Sequence, residues 1–575
     1  MAEGVSADLS DNQTLEQLPH DDVVMALIQL FMTGQYVVLE QQLLELLDAQ
    51  PQWLIGWKML SDTYMVQKKD ATQAAYQALQ LNKLDPQEHC YYGLTLKSQN
   101  DLIGAAQAFE QAIELKPDYV AAINNLGIVR KDLGDIEQGV ACFDRALQIQ
   151  PAFASCFSNL LFCLSHDEAS TAETLWQRHC QFAQYYERAT KTSIKKHTNL
   201  RASGRPLNIG FVSADLREHS LSNFLEPLLP YLQKNPELNL YAYAATAIED
   251  ATSERLKIYF KHWQVVDQLN DEDLANKVRC DAIDILVDLD GHTSGNRLTM
   301  FALKPAPIQV SWLGYLATTG LSNMDYYLAD EYLLPQGQFD KQFTEKLVQL
   351  PINAPFSSVT ESPDVNSLPA LNNGYLTFAC FNRTNKITQS TVQLWSSVLV
   401  QLPSSKCILI GDAQSGNHKR IFDWFKQYGV DLSRVVWLPR TSMQEYLALH
   451  HQVDICLDTM PANGVTTTCH AAWMGVPTLC ISGDRMISRG AQAIMRHLSL
   501  GDFVVADAAT YLAKACYFSD NLAGLAETRQ QLRYRFQQSL FSQHDIAAKA
   551  VSVAFRQMWK RWCAGKQAKA FVVRL

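Results

Sequence analysis

Residues Val453–Pro477, with the sequence VDICLDTMPANGVTTTCHAAWMGVP, predict a strand, a loop and a helix in direct succession. The apolar run Ile455–Leu457 is typical of a buried parallel strand, and Thr466–Thr468 lead into an apolar helix that ends near Gly475. Hydroxyl and backbone N–H groups at a helix N-terminus, beyond the carboxyl end of a strand, form an anion site. Ligands of open α/β sheets bind at such strand ends. The threonines could instead serve only to cap the helix, and the sequence leaves that alternative open.

Strand-like runs alternate with helical patterns on both sides of this segment, which predicts two doubly wound parallel sheets. The runs are 207–213, 238–244, 283–289 and 308–315 in a first series, and 375–382, 406–411, 434–439, 453–458 and 477–482 in a second. We expect Rossmann-like domains over residues 205–355 and 372–565, joined by the Pro-, Ser- and Asn-rich connector Asn353–Gly374. The second domain should end in a long amphipathic helix, Ile546–Cys563. A cleft between two such domains is a usual place for a ligand.

The first third of the chain repeats itself with a period of 34 residues, the period of tetratricopeptide helix pairs. Residues 93–117 and 127–151 align at five positions, pairing Gly93 with Gly127, Asp101 with Asp135, Phe109 with Phe143, Ala112 with Ala146 and Pro117 with Pro151. Weaker copies are predicted to end at Pro51 and Pro86, and a further match drifts after Asn159. We therefore expect three to four repeats over residues 20–190, followed by the basic linker Lys191–Pro206.

Composition limits the class of protein. The 575 residues are 47% hydrophobic and carry a net charge of −10, which argues against general nucleic-acid or membrane-surface binding. The 13 cysteines include no C-x-x-C pair, which favours reduced thiols. The polar N-terminal sequence is unlike a signal peptide, and no apolar run approaches the roughly 20 residues of a membrane span. We expect a cytoplasmic protein.

Candidate functional residues follow the predicted strands. In the first series His219 lies in the turn after a strand, and Asp288, Asp290 and His292 follow another. A histidine in such a turn is often only a surface or capping residue. In the second series the strand run 375–382 is followed by two cations, Arg383 and Lys386, and the segment before Val453 carries Tyr446, an aromatic residue able to stack on a base.

These segments, in this order, resemble the catalytic region of the O-GlcNAc transferase and SPINDLY family. The resemblance covers nearly the whole chain, from the repeats to the closing helix sequence FRQMWKRW at residues 555–562. It implies an α + α/β protein, in which an N-terminal tetratricopeptide helical solenoid precedes two Rossmann-like domains of the GT-B type. It also implies an inverting, metal-independent glycosyltransferase without a cofactor, with a nucleotide sugar and a protein acceptor as partners.

The resemblance carries over to individual residues. His219, in V-S-x-D-x-R-x-H-S, matches the family's active-site histidine, and Lys386, in F-N-x-x-x-K-I, matches the lysine that holds the pyrophosphate. The residues expected to be catalytic are His219, Asp288 and Lys386. Those expected to bind the donor are Arg297, Gly314, Arg383, Tyr446, Gly464, Thr466, Thr467, Thr468 and His470.

The residue types suit sugar transfer. Lys386, the threonine hydroxyls and the helix N-terminus would stabilise the negative charge that grows on a leaving pyrophosphate group, in place of a metal ion. His219 would take or relay the proton of the acceptor hydroxyl, and Asp288 or Asp290 would orient it or share that work. The sequence does not identify which group is the base.

Four positions depart from the family pattern. His470 stands where an acid normally binds the donor ribose, Leu316 ends a turn that usually reads Gly-Tyr-Pro, and Arg383 replaces an amide. Met443 stands where animal O-GlcNAc transferases carry a lysine, in an order closer to SPINDLY. The donor is therefore open: UDP-GlcNAc is the first expectation, and GDP-fucose, the donor of plant SPINDLY proteins, is the second.

Three functions remain for the chain. The leading hypothesis is transfer of a single sugar to Ser or Thr hydroxyls of proteins, with the repeat array binding extended acceptor segments. The second is a binding module, in which the repeats form a scaffold and the α/β region is a degenerate nucleotide-sugar site. A related branch that glucosylates Asn ranks third.

Overall fold

The structure, a computed structural model, describes residues 19–190, 192, 194–357, 359, 361–412 and 416–575. The chain divides into two compact units, with the boundary along the chain between Val129 and Arg130. A helical array comes first along the chain, and two parallel sheets follow, as expected from the sequence. No helix in these ranges is long and apolar enough to cross a membrane.

The sequence predicted three to four repeats over residues 20–190, and the described residues before the linker form ten helices. They are α1 (Asp21–Met32), α2 (Tyr36–Ala49), α3 (Leu54–Val66), α4 (Thr72–Leu81), α5 (Pro86–Ser98), α6 (Leu102–Leu115), α7 (Val120–Asp132), α8 (Ile136–Ile149), α9 (Ala154–Ser165) and α10 (Ala172–Thr190). The helices α8–α10 belong to the second unit.

The structure explains why particular residues recur in the 34-residue pattern. Asp101 caps the N-terminus of α6, where its carboxylate accepts a hydrogen bond from the N–H of Gly104 at 2.9 Å. Phe109 is fully buried, and a Cβ added to Gly93 would lie 2.8 Å from its ring, which explains the glycine. The prediction that Pro86 closes a repeat is wrong, because this proline is the first residue of α5. Proline suits that position, since its missing N–H would have no partner in the first turn.

The first α/β domain contains an eight-stranded parallel sheet in the order β14-β7-β6-β5-β4-β1-β2-β3. Its strands are β1 (Leu207–Ser213), β2 (Leu238–Ala244), β3 (His262–Val265), β4 (Ile285–Asp288), β5 (Ile308–Ser311), β6 (Tyr326–Asp330), β7 (Lys346–Leu350) and β14 (Phe571–Val572). The central strands β4, β5 and β6 are buried throughout, as expected for parallel strands with both faces covered.

The second α/β domain contains a six-stranded parallel sheet in the order β10-β9-β8-β11-β12-β13. Its strands are β8 (Thr377–Cys380), β9 (Lys406–Ile410), β10 (Val435–Leu438), β11 (Ile455–Leu457), β12 (Thr478–Ile481) and β13 (Val504–Val505). The buried strand predicted from Ile455–Leu457 is therefore confirmed, and it pairs with β8 and β12.

Helices connect these strands. They are α11 (Ser222–Leu225), α12 (Leu229–Gln233), α13 (Ala251–Lys257), α14 (Asp271–Cys280), α15 (Leu298–Phe301), α16 (Ala370–Asn373), α17 (Gln389–Gln401), α18 (Asn417–Gln427), α19 (Met443–Leu449), α20 (Thr466–Trp473), α21 (Gly490–His497), α22 (Ala508–Asp520), α23 (Leu522–Gln538) and α24 (His544–Cys563).

The C-terminal helix α24 packs on a different domain from the one that we expected. We expected it to complete the second domain, but it packs against β5, β7 and α12 of the first. Its Trp559 is fully buried, and the indole N–H donates to the carbonyl of Ala202 at 3.1 Å. The guanidinium of Arg205 lies over the same ring at 4.6 Å. The linker before β1 thus supplies the partners that fix the helix on the first sheet.

Candidate active site

The anion site predicted from Thr466–Thr468 lies at the N-terminus of α20. The helix begins at Thr466, its N-cap residue is Val465, and no side chain caps this end. Thr467 instead donates its hydroxyl to Oδ1 of Asn382 at 2.5 Å, and Thr468 donates to the carbonyl of Gly464 at 3.0 Å. The alternative that the threonines serve only as helix caps is therefore wrong. The N–H groups of the first turn remain available to an anion.

A buried polar network joins the ends of β8 and β11 beneath this helix. Oδ1 of Asp458 accepts hydrogen bonds from the N–H of Gly464 at 2.8 Å and from the amide of Asn382 at 3.0 Å. A Cβ on Gly464 would lie 2.3 Å from Oδ1 of Asn382, so only glycine fits. Burial raises the pKa of Asp458 to about 6. Asn382 and Asp458 were not singled out in the sequence, although each is the last residue of a predicted strand run, 375–382 and 453–458.

Lys386 lies in the short 3₁₀ turn that follows β8. Its ammonium donates to the carbonyl of Asn463 at 2.8 Å, which places the charge beside the loop that leads into α20. Burial is the main cause that lowers the pKa of Lys386 to about 8; Asp458 opposes the shift and the nearby Arg383 adds to it. Lys386 is thus mostly protonated at pH 7 and poorly screened by water. Arg383 is exposed.

His219 lies after β1 in the first domain and faces Arg383 of the second. Its Nδ1 is 3.3 Å from Oδ2 of Asp215, within the same turn. Burial lowers the pKa of His219, Asp215 raises it, and the charges of Arg383 and Arg217 lower it. The two domains meet at their strand ends, where Arg489, after β12, donates to the carbonyl of Leu333, after β6, at 2.7 Å. Arg383 is close enough to His219 to affect its pKa. A lowered pKa keeps the imidazole neutral at neutral pH, so that it can accept a proton.

Asp288, the last residue of β4, and the polar residues Asp290 and His292 that follow it are buried and have hydrogen-bond partners. Asp288 accepts from the hydroxyl of Ser311 at 2.9 Å and from the N–H of Gly291 at 3.1 Å, and burial raises its pKa to about 6. Asp290 accepts a hydrogen bond from the N–H of Ala214 at 2.8 Å. The ring of His292 contacts the carbonyl of Thr319 at 2.9 Å. The carboxylate that the structure places beside His219 is thus Asp215, which the sequence reasoning did not select for this role.

Arg297 and Gly314, which were expected to bind the donor, contact other residues of the first domain. Arg297 forms an ion pair with Asp271 at 3.1 Å and donates to the carbonyl of Leu269 at 2.6 Å, which ties it to the start of α14. Gly314 lies so close to the backbone that a Cβ would be 1.9 Å from the carbonyl oxygen of Leu289. The turn after β5 therefore requires glycine at this position.

Tyr446 belongs to an aromatic cluster at the second sheet. Its ring centroid is 5.5 Å from that of Phe381 and 5.6 Å from that of His470. The hydroxyl of Tyr446 is buried without a hydrogen-bond partner among the described residues. His470 also packs against Phe356 at 5.4 Å, and burial lowers its pKa to about 4. The histidine is therefore neutral at pH 7 and cannot supply the negative charge of the acid that it replaces. Met443 is 51% exposed at the start of α19.

Comparison with known proteins identifies the family and supports the fold. This chain is similar to the solved structure of a mutant O-GlcNAc transferase from Thermobaculum terrenum, with a TM-score of 0.81 and 28% sequence identity. The superposition covers 89% of this chain and 99% of the transferase chain. Two plant proteins named as probable UDP-N-acetylglucosamine–peptide N-acetylglucosaminyltransferase SPINDLY are also similar. The Arabidopsis thaliana protein is 32% identical over 378 residues, and the Oryza sativa protein is 30% identical over 420 residues.

These plant matches cover 64% and 71% of this chain but only 41% and 44% of the relatives, so the chain spans less than half of their length. Residues 90–119 and 120–153 match the tetratricopeptide repeat. Residues 151–357 and 364–549 match glycosyl transferase family 41; the match includes strands β1–β13 and the loop and helix from Asp458 to Trp473. With repeats followed by two facing Rossmann-like domains, the chain belongs to glycosyl transferase family 41.

Proposed function

We propose that this protein transfers a single sugar from a nucleotide sugar to Ser or Thr hydroxyls of acceptor proteins, by a metal-independent inverting mechanism. UDP-GlcNAc is the first donor proposed and GDP-fucose the second. The observation that carries the proposal is that the carboxyl ends of the strands in the two α/β domains face each other. A neutral histidine with a carboxylate partner comes from one sheet, and a lysine beside a helix N-terminus comes from the other.

The second domain would hold the donor and stabilise the leaving group. Cleavage of the sugar–phosphate bond transfers negative charge to the nucleoside diphosphate. The Lys386 ammonium and the N–H groups at the start of α20 occupy fixed positions before the reaction, so no reorganisation is needed when this charge develops. The hydrogen bond between Asn382 and Asp458 would fix the loop after β8 relative to the loop after β11. The ring of Tyr446 would contact the base.

The first domain would activate the acceptor. In the tautomer that carries its proton on Nδ1, toward Asp215, His219 has a lone pair on Nε2 that can accept the proton of the attacking hydroxyl. The attack would come from the face of the sugar opposite the leaving group and invert the anomeric centre. Asp215 would keep the imidazole oriented and stabilise it once it is protonated. The helix pairs upstream would present the acceptor segment.

Two observations bear on the donor. The names of the plant relatives and of the bacterial structure refer to UDP-N-acetylglucosamine or O-GlcNAc, which supports UDP-GlcNAc. The neutral His470 and the exposed Met443 favour a base and ribose site unlike that of animal O-GlcNAc transferases, which keeps GDP-fucose as the second donor.

A donor panel on the purified full chain tests the proposal. Calorimetry would compare UDP-GlcNAc, UDP-glucose and GDP-fucose with UDP and GDP, in the presence of EDTA. Saturable binding of one sugar nucleotide, followed by transfer of its sugar to a protein acceptor, is the expected result. Absence of binding by every donor would contradict the proposal and favour the scaffold function, in which the repeats bind partners and the sheets are inactive. Binding that EDTA abolishes would contradict metal independence alone.

A further inference from the structure

The first helix of the array, α1, is apolar around almost its whole circumference. In residues 23–32 the only polar side chain is that of Gln29. One stripe of the helix packs into the core formed with the next helices, and it consists of Val24, Leu27 and Phe31. The adjoining stripe is exposed, and it consists of Met25 (63% exposed), Ile28 (42%) and Met32 (76%). A helix that is apolar on all sides is normally buried, but among the described residues nothing covers this second stripe.

The second helix, α2, also exposes apolar side chains. Its buried residues are Leu39, Leu43 and Leu47. On the other side of the helix Val37 is 75% exposed, and Leu44 is exposed as well. Only residues 33–35 separate the two helices, so α1 and α2 lie antiparallel, and Met32 and Val37 flank the turn between them. Clustered exposed apolar side chains are typical of an interaction surface. We call this surface, formed by Met25, Ile28, Met32, Val37 and Leu44, the outer face.

The charge of this part of the chain is negative. The first 57 residues contain nine Asp and Glu residues and no Lys or Arg, whereas the rest of the chain is close to neutral. The net charge of −10 is therefore concentrated here. Glu40 is paired with Lys69 at 2.6 Å, but Asp21 and Asp48 are exposed.

These two aspartates lie in line with the exposed stripes. Asp21 is four residues before Met25, which places it on the same face of α1. Asp48 is four residues after Leu44, on the same face of α2. Because the helices are antiparallel, both carboxylates lie at the end of the helix pair that is opposite the turn. The outer face is thus apolar toward the turn and acidic at the other end.

This charge distribution discriminates between possible occupants. A second copy paired through the same surface would bring further acids and no cation against Asp21 and Asp48, and like charges repel. An anionic membrane surface is disfavoured for the same reason. An amphipathic helix that carries Lys or Arg beside its apolar stripe complements both the apolar side chains and the carboxylates.

We propose that the outer face binds a basic amphipathic helix of a partner protein. The apolar stripe of that helix packs on Met25, Ile28 and Met32, and its Lys or Arg side chains lie at Asp21 and Asp48. The inference goes beyond the proposed transferase function and does not depend on it, because the outer face belongs to the first compact unit and the candidate active site to the second.

A fluorescence-anisotropy titration of the full chain tests this surface. The probe is a labelled helical peptide of Leu and Lys, in which Leu recurs at i, i+3, i+4 and i+7 and forms one apolar face. The first comparison peptide has the same composition, with the Leu residues redistributed so that no apolar face forms. The second has Glu in place of every Lys. The wild type should bind the probe at least tenfold more tightly than either comparison peptide.

A triple variant removes the apolar stripe. Met25→Gln, Ile28→Gln and Met32→Gln together should weaken binding of the probe tenfold or more, since each change removes apolar contact area. All three side chains are exposed, so the circular dichroism of the variant should match that of the wild type. The matched control changes three exposed leucines elsewhere in the array and should bind as wild type; it combines Leu84→Gln, Leu94→Gln and Leu115→Gln.

A double variant tests the charges. Asp21→Asn with Asp48→Asn should weaken binding of the probe and reduce its dependence on salt concentration, because fewer opposite charges are then screened. Unchanged affinity and salt dependence in this variant would overturn the basic character of the partner.

Four other results would overturn the proposal. Equal binding of the redistributed peptide would show that charge alone attracts the probe, and equal binding of the Glu peptide would show that apolar contact alone does so. Unchanged binding by the triple variant would place the peptide elsewhere. In sedimentation velocity, a wild-type dimer that the triple variant fails to form would show that a second copy occupies the outer face.

Discussion

Replacing Lys386 by alanine should remove most of the transferase activity while the protein stays folded. The ammonium lies 2.8 Å from the carbonyl of Asn463, at the loop leading into α20, and is poorly screened by solvent. Loss of one preorganised group that stabilises developing charge lowers kcat by roughly 10²–10³, or ~2.7–4 kcal/mol. Because the charge on the leaving group grows in the transition state, kcat should fall more than the donor affinity.

The pH dependence gives a second measure of the same residue. With its pKa lowered to about 8, Lys386 loses its proton as the pH rises through that value, so kcat/KM of the wild type should fall above pH 8. Arginine stays protonated throughout this range. Lys386→Arg should therefore lack the fall near pH 8, even though its different geometry lowers the rate.

The assay is the initial rate of nucleoside diphosphate release with acceptor protein present, measured from pH 5 to 10. Lys419→Ala, an exposed lysine on α18, is the matched control and should behave as wild type. The reasoning is refuted if Lys386→Ala retains kcat within threefold of wild type, or if the fall near pH 8 persists in Lys386→Arg.

Three other outcomes are expected. Because the pKa of His219 is lowered from 6.5, kcat/KM should rise with pH through a value below 6.5. His219→Asn should lose this rise, and its rate should fall by about 10²–10⁴. If the same rise at acidic pH persists in the variant, the histidine is not the base. Gly464→Ala brings a Cβ to 2.3 Å from Oδ1 of Asn382 and should weaken donor binding tenfold or more by calorimetry, whereas Gly501→Ala, with open space around it, should not. Phe109→Ala empties a fully buried position and should destabilise the repeats by about 3–5 kcal/mol in urea unfolding followed by circular dichroism; a loss below 1 kcal/mol would show that the core there is not packed as described.

The strands were predictable where hydrophobic side chains dominate them. The segments 207–213 and 238–244 correspond residue for residue to β1 and β2. The edge strand β3 has the sequence HWQV and is not fully buried, so it lacks the continuous apolar run that identifies a parallel strand. The strands β13 and β14 have two residues each, too few for any periodicity. The position of α24 was missed because an amphipathic pattern shows that a helix packs, and not on which sheet it packs.

Family motifs selected the candidate residues of the site, but the contacts that support them could not be predicted. The candidates His219 and Lys386 lie after β1 and after β8, at the carboxyl ends of strands in the two sheets. Asp215 was overlooked as the partner of the histidine, because two acids after β4 looked equally suitable in sequence. In the sequence, Asp458 is recognisable only as the last residue of a predicted strand run. Its function depends on which backbone N–H and amide groups lie within 3 Å, and this information exists only in three dimensions.

The return of the chain to the first sheet has a consequence for how the protein is made. The first α/β domain consists of residues 207–350 together with 544–572, and the whole second domain is inserted between these segments. During synthesis, β7 must therefore remain an unpaired edge, and the surface that receives Trp559 must stay uncovered, until the second domain has emerged from the ribosome. The domain that is encoded earlier is thus completed later, and during this interval it presents an open strand and an apolar face to which chaperones can bind.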